Sequence, residues 1–346
     1  MGFGRQILDW LASFLSNRSQ CVRIHDSLSK SISVTSGVPQ GSHCGPILFV
    51  LFMNDLPDVI KSCKLLIFAD DVKIFHTVET SIDSKGIQDD LNNFLKWCSI
   101  NGLRVNSKKC FIITFARIQN KTVEKYVMGS DELERVDFIK DLGVIFDKEL
   151  SFVQHVTKIS LRALKSLGFI CRTAKHFSIN TLKKLYCSLV RSHLEYASVV
   201  WSPIYDVHKF KLERVQNKFL RVLNYRLGIP IDLICYHDLR HTFNLKTLVN
   251  RRILADLCFL HKLLGGAINC SVLISKVSFK IYNNNYNTRT RSVFLVPQCN
   301  TNYTIYSPIN RLLRLGNIVA SNTNLELFGS IYGSFKRALI FVNLDC

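Results

Sequence analysis

Two adjacent acids, Asp70 and Asp71, are the residues of this 346-residue chain whose types and setting are best suited to chemistry. They lie between two apolar runs, Leu65-Leu66-Ile67-Phe68 and Val72-Lys73-Ile74-Phe75. Segments 64–69 and 72–77, rich in Ile, Leu, Val and Phe, read as short buried strands joined by a tight hairpin. Side chains alternate faces along a strand, and only a turn lets two consecutive carboxylates approach one site. Such oxygen ligands suit a hard cation, and phosphoryl transfer by a two-metal site needs them for ions about 3.5–4 Å apart. Asp-Asp is also ordinary turn chemistry. Apolar strands on both sides favour the cation, because unpaired charge is costly there.

The elements upstream must position that hairpin. Ser36-Gly37-Val38-Pro39-Gln40-Gly41-Ser42, with Gly45 and Pro46 just beyond, describes a rigid, irregular loop whose glycines permit close approach of another molecule. Ile47 to Met53 runs apolar into Asn54-Asp55-Leu56-Pro57 and predicts a helix that Pro57 helps to end. Downstream, Ile87 to Ile100 carries Leu91, Phe94, Leu95 and Cys98 on one helical face. The turn signal Asn101-Gly102 then leads through Lys108-Lys109 into a strand over Phe111–Phe115. Phe138 to Phe146 reads as strand with Gly143 inside it, which fits either close backbone approach or a bulge.

The loop and the acid pair, in this order and about 30 residues apart, resemble the palm of reverse transcriptases, specifically polymerases of jockey-like non-LTR retrotransposons. The resemblance implies an RNA-directed DNA polymerase that uses Mg2+ at Asp70 and Asp71, with an RNA template, a DNA primer and deoxynucleoside triphosphates as partners. It places Pro39, Gln40 and Gly41, with Phe68 and Ala69, beside the incoming nucleotide and template. It gives Lys109, with Lys108 next to it, the protonation of the pyrophosphate leaving group. Leu142, Gly143 and Val144 become the hairpin that grips the primer end.

Charge divides the chain. Residues 1–150 hold 18 Lys and Arg against 18 Asp and Glu; residues 151–346 hold 27 against 8 and so carry the whole net charge of +19. A neutral metal-binding part followed by a strongly basic one suits a protein that holds a polyanion with its second part. Lys158, Arg162, Lys165 and Arg172 share one helical face, with Phe152, Val156, Ile159, Ala163 and Leu167 on another. Lys211, Arg214, Lys218 and Arg221 repeat the arrangement against Leu212, Val215, Phe219 and Val222. Two such stripes with so few acids favour contact with a nucleic-acid backbone over a merely solvated surface.

The expected architecture is α+β. A partial polymerase palm, an antiparallel sheet with helices, spans 1–150; a basic, mostly helical thumb-like region spans 151–230; a helical or irregular C-terminal region spans 231–346. In that last region Arg251-Arg252, Thr288 to Ser292 and Ser307 to Arg311 resemble the C-terminal part of jockey-like polymerases, as does Trp201-Ser202-Pro203 before it. Residues 282–302, rich in Asn, Tyr and Arg, suggest loops suited to single-stranded nucleic acid.

The twelve cysteines show no Cys-x-x-Cys or Cys/His zinc spacing and read as reduced thiols of a cytosolic or nuclear protein. No apolar run near the palm approaches the roughly 20 residues of a membrane helix. The family's first palm strand carries a further catalytic aspartate, upstream of the segment that Gly4 to Val22 resembles, and this chain begins after it. Asp9 is no substitute, since it falls on the polar face of an amphipathic run, Ile7 to Leu15. Fingers and any endonuclease are likewise expected upstream. Very weak activity of the polypeptide alone is the expectation, and a non-catalytic basic RNA- or DNA-binding remnant is the alternative.

Overall fold

The computed structural model describes residues 2–116, 124–228, 230, 235–281, 292–323, 327–329 and 331–341. The chain forms two compact units, residues 1–112 with 118–136, and residues 113–117 with 137–346. These units do not follow the boundaries at 150 and 230.

The first unit mixes helices with small strand pairs. Helix α1 (Arg5–Leu15) precedes strands β1 (Arg18–Gln20), β2 (Arg23–Ile24), β3 (Ser27–Leu28) and β4 (Ile32–Val34), with β1 antiparallel to β4 and β2 to β3. Helices α2 (Cys44–Phe52) and α3 (Leu56–Val59) follow. Pro57 does not end a helix; it sits in the first turn of α3, where its missing N–H has no intrahelical partner to lose. Strands β5 (Lys64–Phe68) and β6 (Asp71–Phe75) form the expected hairpin, and helix α4 (Ser81–Ile100) packs beside it. Helix α4 begins six residues before Ile87 because Thr80 and Asp83 make a reciprocal capping box: the Thr80 hydroxyl accepts from Asp83 N–H and the Asp83 carboxylate accepts from Thr80 N–H at 2.7 Å. Strands β7 (Phe111–Ile112), β8 (Val127–Met128), β9 (Asp131–Glu132) and β10 (Glu134–Arg135) complete the unit, β7 running parallel to β10 and β8 antiparallel to β9. Pairing at 111–112 is shorter than the strand expected to Phe115.

Leu56, Leu91, Phe94 and Trp97 lie at the centre of this unit's core, and Leu65, Val72 and Ile74 pack against it from the hairpin. The opposite hairpin face is open: Leu66 is 56% and Phe68 62% exposed. The expectation of buried strands is therefore corrected to half-buried ones. Among the described residues the pairing is two strands wide, and alternation turns every second side chain away from the core. Helix α1 is amphipathic as expected but buries no residue.

One buried carboxylate ties α4 to the chain entering β5. Asp90 accepts backbone N–H groups from Lys61, Ser62 and Cys63 at 2.8, 2.8 and 2.7 Å. Burial opposes its charge, yet these donors outweigh burial and hold the carboxyl below its ordinary range. The Cys63 thiol, half-buried beside the same carboxylate, is pushed up to about 12, by desolvation first and then by Asp90.

The second unit opens with the hairpin β11 (Phe138–Asp141) and β12 (Val144–Asp147). Asp147 accepts N–H groups from Ser151 and Phe152 at 2.9 and 2.7 Å and so sets the entry to helix α5 (Val153–Thr173). Helix α6 (Ile179–Leu185) continues through a π-helical turn, Tyr186–Arg191, into α7 (Ser192–Glu195), then α8 (Ser198–Trp201) and the long α9 (Asp206–Arg226). Beyond lie α10 (Tyr236–Thr242), α11 (Leu248–Leu264), α12 (Ser271–Ile274), α13 (Asn302–Ile305), α14 (Pro308–Asn322) and α15 (Tyr332–Phe341). Tyr186 stacks on Phe219 with centroids 4.1 Å apart and donates its hydroxyl to Gln216 Oε1 at 3.0 Å. Gln216, fully buried, donates onward to the Lys246 carbonyl at 3.0 Å.

Ion pairs across long separations make the C-terminal helices part of this body. Arg251 of α11 forms a two-pronged pair with Glu195 of α7. Arg311 of α14 donates to Asp256 at 2.7 and 3.3 Å and to the Val199 carbonyl at 2.6 Å. Arg252 is 3% exposed, and burial lowers its pKa to about 10. The Arg251-Arg252 and Ser307 to Arg311 motifs are thus structural joints; Thr288 to Arg291 lies outside the described residues. All the described cysteines are free thiols.

The Asp90 clamp predicts a pH signature. Asp90→Asn loses the charge and points an amide at backbone donors, which costs about 2–3 kcal/mol at pH 7. Because the folded carboxyl is the stronger acid, its contribution is full above about pH 4 and fades as pH falls through the folded pKa. Urea unfolding of the wild type between pH 6 and about pH 3 shows that loss and Asp90→Asn a flatter profile; equal slopes would remove the clamp's electrostatic role.

Candidate active site

Phe68 pairs with Asp71 across a two-residue turn made by Ala69 and Asp70. Ala69 adopts φ of +52°, a left-handed conformation that lets the chain reverse in two residues. The register puts Asp71 on the open face with Leu66, Phe68 and Lys73, while Asp70 stands at the tip. Both carboxylates are exposed and neither has a hydrogen-bond or ion-pair partner among the described residues. The structure thus brings the pair together at one turn as the sequence implied. It corrects one step of the inference: solvated acids carry no burial penalty, so apolar flanks do not demand a cation. What the geometry gives is two adjacent hard oxygen donors at one turn, Asp71 on the open face and Asp70 at the tip beside it. Among the described residues no group of three or more His, Cys, Asp or Glu side chains is gathered as a metal site.

The upstream loop is rigid for reasons that can be named. Gly37 and Gly41 have φ of +76° and +80°, which only glycine adopts without strain, and no described residue comes within 4 Å of where a Cβ would stand. Ser42 N–H donates to the Pro39 carbonyl at 3.3 Å, and the Ser42 hydroxyl accepts from Gly45 N–H at 3.0 Å to start α2. Arg18, which sequence reasoning missed, clamps the loop: its guanidinium donates to the carbonyls of Leu15, Ser36 and Gly37 at 2.8, 3.3 and 2.5 Å. Gln40 is exposed at the crest. Lys109 is exposed in a 3-10 turn, Ser107–Lys109, just before β7. Its neighbours Val105 and Cys110 pack on the core that supports the acid hairpin.

In the second unit, Leu142 and Gly143 form the turn between β11 and β12, with φ of +42° and +89°. Gly143 is therefore a turn glycine under close approach: a Cβ there would lie 3.1 Å from the Tyr196 ring. The Tyr196 hydroxyl donates to the Leu142 carbonyl at 3.0 Å. Tyr196 is in turn held by Trp201, whose indole N–H donates to its carbonyl at 2.7 Å. Tyr196 lies 54 residues from Leu142, and no local pattern announces the pairing.

Helices α5 and α9 run parallel. Lys211 Nζ donates to Thr157 Oγ1 at 2.8 Å near their N-termini, and Arg226 donates to the Ala174 carbonyl at 2.8 Å near their C-termini. Lys158, Arg162, Lys165, Arg214, Lys218 and Arg221 are exposed, whereas Lys211 is half-buried and braces the two helices. At about 100° per residue, the α9-facing side of α5 lies about 100° from its basic stripe. On α9 the corresponding angle is about 80° in the opposite sense. Opposite senses on parallel helices turn both stripes to the same side. Burial also shapes two histidines here, with desolvation and then Lys158 lowering His155 to about 4, and desolvation and then Arg162 lowering His193.

Residues 1–171 match the family described as reverse transcriptase (RNA-dependent DNA polymerase). This stretch belongs to that family. The reverse transcriptase stretch contains the loop, the acid hairpin, Lys109, the Leu142–Gly143 turn and most of α5. The chain is 28% identical over 221 residues to the probable RNA-directed DNA polymerase from transposon X-element of Drosophila melanogaster, covering 62% of this chain and 24% of that protein. It is 26% identical over 230 residues to the RNA-directed DNA polymerase from mobile element jockey of Drosophila funebris, covering 63% of this chain and 25% of that protein. The match to the jockey protein of Drosophila melanogaster is also 26%, over 231 residues. These alignments span about a quarter of the length of the curated relatives. No solved structure matches the chain. The kinship is with jockey-like non-LTR elements.

Within the reverse transcriptase stretch, the Gly143 turn is open to test. Gly143→Ala strains a left-handed residue and presses a methyl on Tyr196, costing about 1–3 kcal/mol, while Tyr196→Phe costs about 1 kcal/mol through the lost hydrogen bond. Urea unfolding and amide exchange at 142–144 measure both; unchanged protection in Tyr196→Phe would mean that the hydroxyl does not hold the turn.

Proposed function

We propose that this polypeptide carries part of the catalytic apparatus of an RNA-directed DNA polymerase of a jockey-like non-LTR element. The observation that carries it is the Phe68–Asp71 pairing, which leaves Asp71 on the open strand face and Asp70 at the adjoining tip, neither with a partner among the described residues. Asp70 and Asp71 would hold Mg2+, which when bound stabilises charge on the attacking and leaving oxygens of nucleotidyl transfer. Pro39, Gln40 and Gly41 line the nucleotide and template side with Phe68 and Ala69; the clear space around Gly41 supports room for a ligand. Lys109 supplies a proton to pyrophosphate. Leu142, Gly143 and Val144 hold the primer end, stiffened by Tyr196 as a positioning residue. The exposed stripes of α5 and α9 contact the sugar-phosphate backbone of bound nucleic acid, and an RNA template and a DNA primer are the proposed partners of the whole apparatus. In this assignment the acid hairpin and its neighbours are palm, and the α5 and α9 helices are thumb.

Activity of this chain unaided is proposed to be very weak. Two carboxylates neutralise only half the charge of two divalent ions, and no third acid joins them among the described residues. Repulsion between such ions about 4 Å apart is on the order of 16 kcal/mol at an effective dielectric of about 20. Sequence that completes the carboxylate set is therefore a required partner. Nuclear or cytoplasmic residence is proposed on the free thiols. Among the described residues no helix is long and apolar enough to cross a membrane.

A second reading, a non-catalytic RNA- or DNA-binding protein, is favoured by the parallel placement of the two basic stripes. The two differ in their need for metal. Calorimetric titration with Mg2+ gives binding to the wild type and a loss of at least about tenfold in Asp70→Asn if the acids hold the ion; identical isotherms favour the binding protein. Primer extension on an RNA template gives little product from the chain alone. Vigorous synthesis, abolished by Asp70→Ala, would overturn the proposed weakness and establish the catalytic assignment.

A further inference from the structure

Two aromatic side chains stand inside the basic stripes of α5 and α9. Phe169 is 57% exposed and lies on the α5 face of Lys165 and Arg172; Tyr225 is 80% exposed and lies on the α9 face of Lys218 and Arg221. The cross-links Thr157–Lys211 and Ala174–Arg226 join residues 54 and 52 apart, so Phe169 is level with Val222 and Tyr225 lies about one turn beyond. Lys218, Arg221, Val222 and Tyr225 line a shallow open depression of about 290 Å³. The Cys171 thiol of α5 lies within electrostatic range of Lys218 and Arg226 of α9, so the two helices are close at this level.

Neither helix puts a free acid on this face. Helix α5 contains no Asp or Glu. Of the two acids in α9, Asp206 pairs with Lys209 at 2.9 Å and Glu213 turns inward to accept from Leu248 N–H at 3.0 Å. The apolar faces of both helices are already used in the core, by Val156, Leu167 and Ile170 on α5 and by Leu212, Phe219 and Leu223 on α9. What the basic face exposes is scattered apolar side chains, Leu161 and Phe169 on α5 and Val207 and Phe210 on α9, rather than a continuous apolar face of the kind an interfacial helix buries, so a membrane surface is disfavoured.

We propose that the α5–α9 face holds a single-stranded stretch of nucleic acid, with bases stacked on Tyr225 and Phe169 and phosphates held by the flanking lysines and arginines. A duplex keeps its bases stacked on one another and offers only its backbone; a single strand offers a π-face for each exposed ring. This rests on the backbone contacts proposed above and adds that unpaired nucleotides are the preferred ligand.

Fluorescence anisotropy on the full chain tests it, with a labelled oligo(uridine) and an RNA–DNA duplex as probes and phosphatidylserine vesicles as competitor. Tyr225→Ala and Phe169→Ala each weaken single-strand binding by roughly five- to hundred-fold, leave duplex binding and the salt slope in place, and Tyr225→Trp restores affinity. Equal loss on both probes, no loss on the single strand, or competition by vesicles that depends on Tyr225 would overturn the proposal. Lys165→Gln with Lys218→Gln lowers affinity for both probes and shallows the salt slope by about 1–2. If that charge variant acts and the aromatic ones do not, only the stacking inference falls; if neither acts, the backbone contacts fall with it. Thermal melts confirm folding, since every substituted side chain is on the surface.

Discussion

The carboxylate of Asp90 is the constraint on which the candidate catalytic unit turns. It comes from the middle of α4 and takes the three N–H groups that begin the run into β5. Three donors on one buried anion fix the direction in which the strand leaves the helix. Everything downstream, the Phe68–Asp71 register and the left-handed Ala69, inherits that direction. A hairpin of two strands has little other means of orientation, because only one of its faces meets the core. The same logic recurs at Asp147, whose oxygens gather the backbone between β12 and α5.

What could be read from the sequence follows the range of the forces involved. The acid hairpin, α2, the C-terminal part of α4 and the two basic helices were legible because period-two and period-3.6 patterns are local. The start of α4 was missed although Thr80 and Asp83 are three apart, as the box precedes a polar turn of the helix rather than an apolar one. Pro57 was misjudged because the same residue that stops one helix opens another. The roles of Arg18 and Tyr196 were not legible, since their partners lie up to 19 and 54 residues away. Burial of β5 and β6 was over-predicted because apolar composition does not say how many layers cover a strand.

The second unit shows how a basic protein builds a core without spreading its charge through it. Glu195, Glu213 and Asp256 are among only eight acids after residue 150, and all three face inward to arginines or backbone donors. Removing either partner of such a buried pair leaves a stranded charge, a cost of about 3–5 kcal/mol. The acids used inside leave the outside almost uniformly cationic, so one allocation of charge both joins α7, α8, α11 and α14 and clears the α5–α9 face.

The open side of the β5–β6 hairpin has a colloidal consequence. Among the described residues neither outer edge of this ribbon is paired, and Leu66 and Phe68 stand beside those free backbone groups. The first 150 residues carry equal numbers of acids and bases, so no net repulsion keeps two copies of this face apart. Lys64, Asp71 and Lys73 alternate with Leu66 and Phe68 on that face, so the charges beside the apolar side chains act as gatekeepers against ribbon-to-ribbon association, and replacing them with apolar residues would promote it.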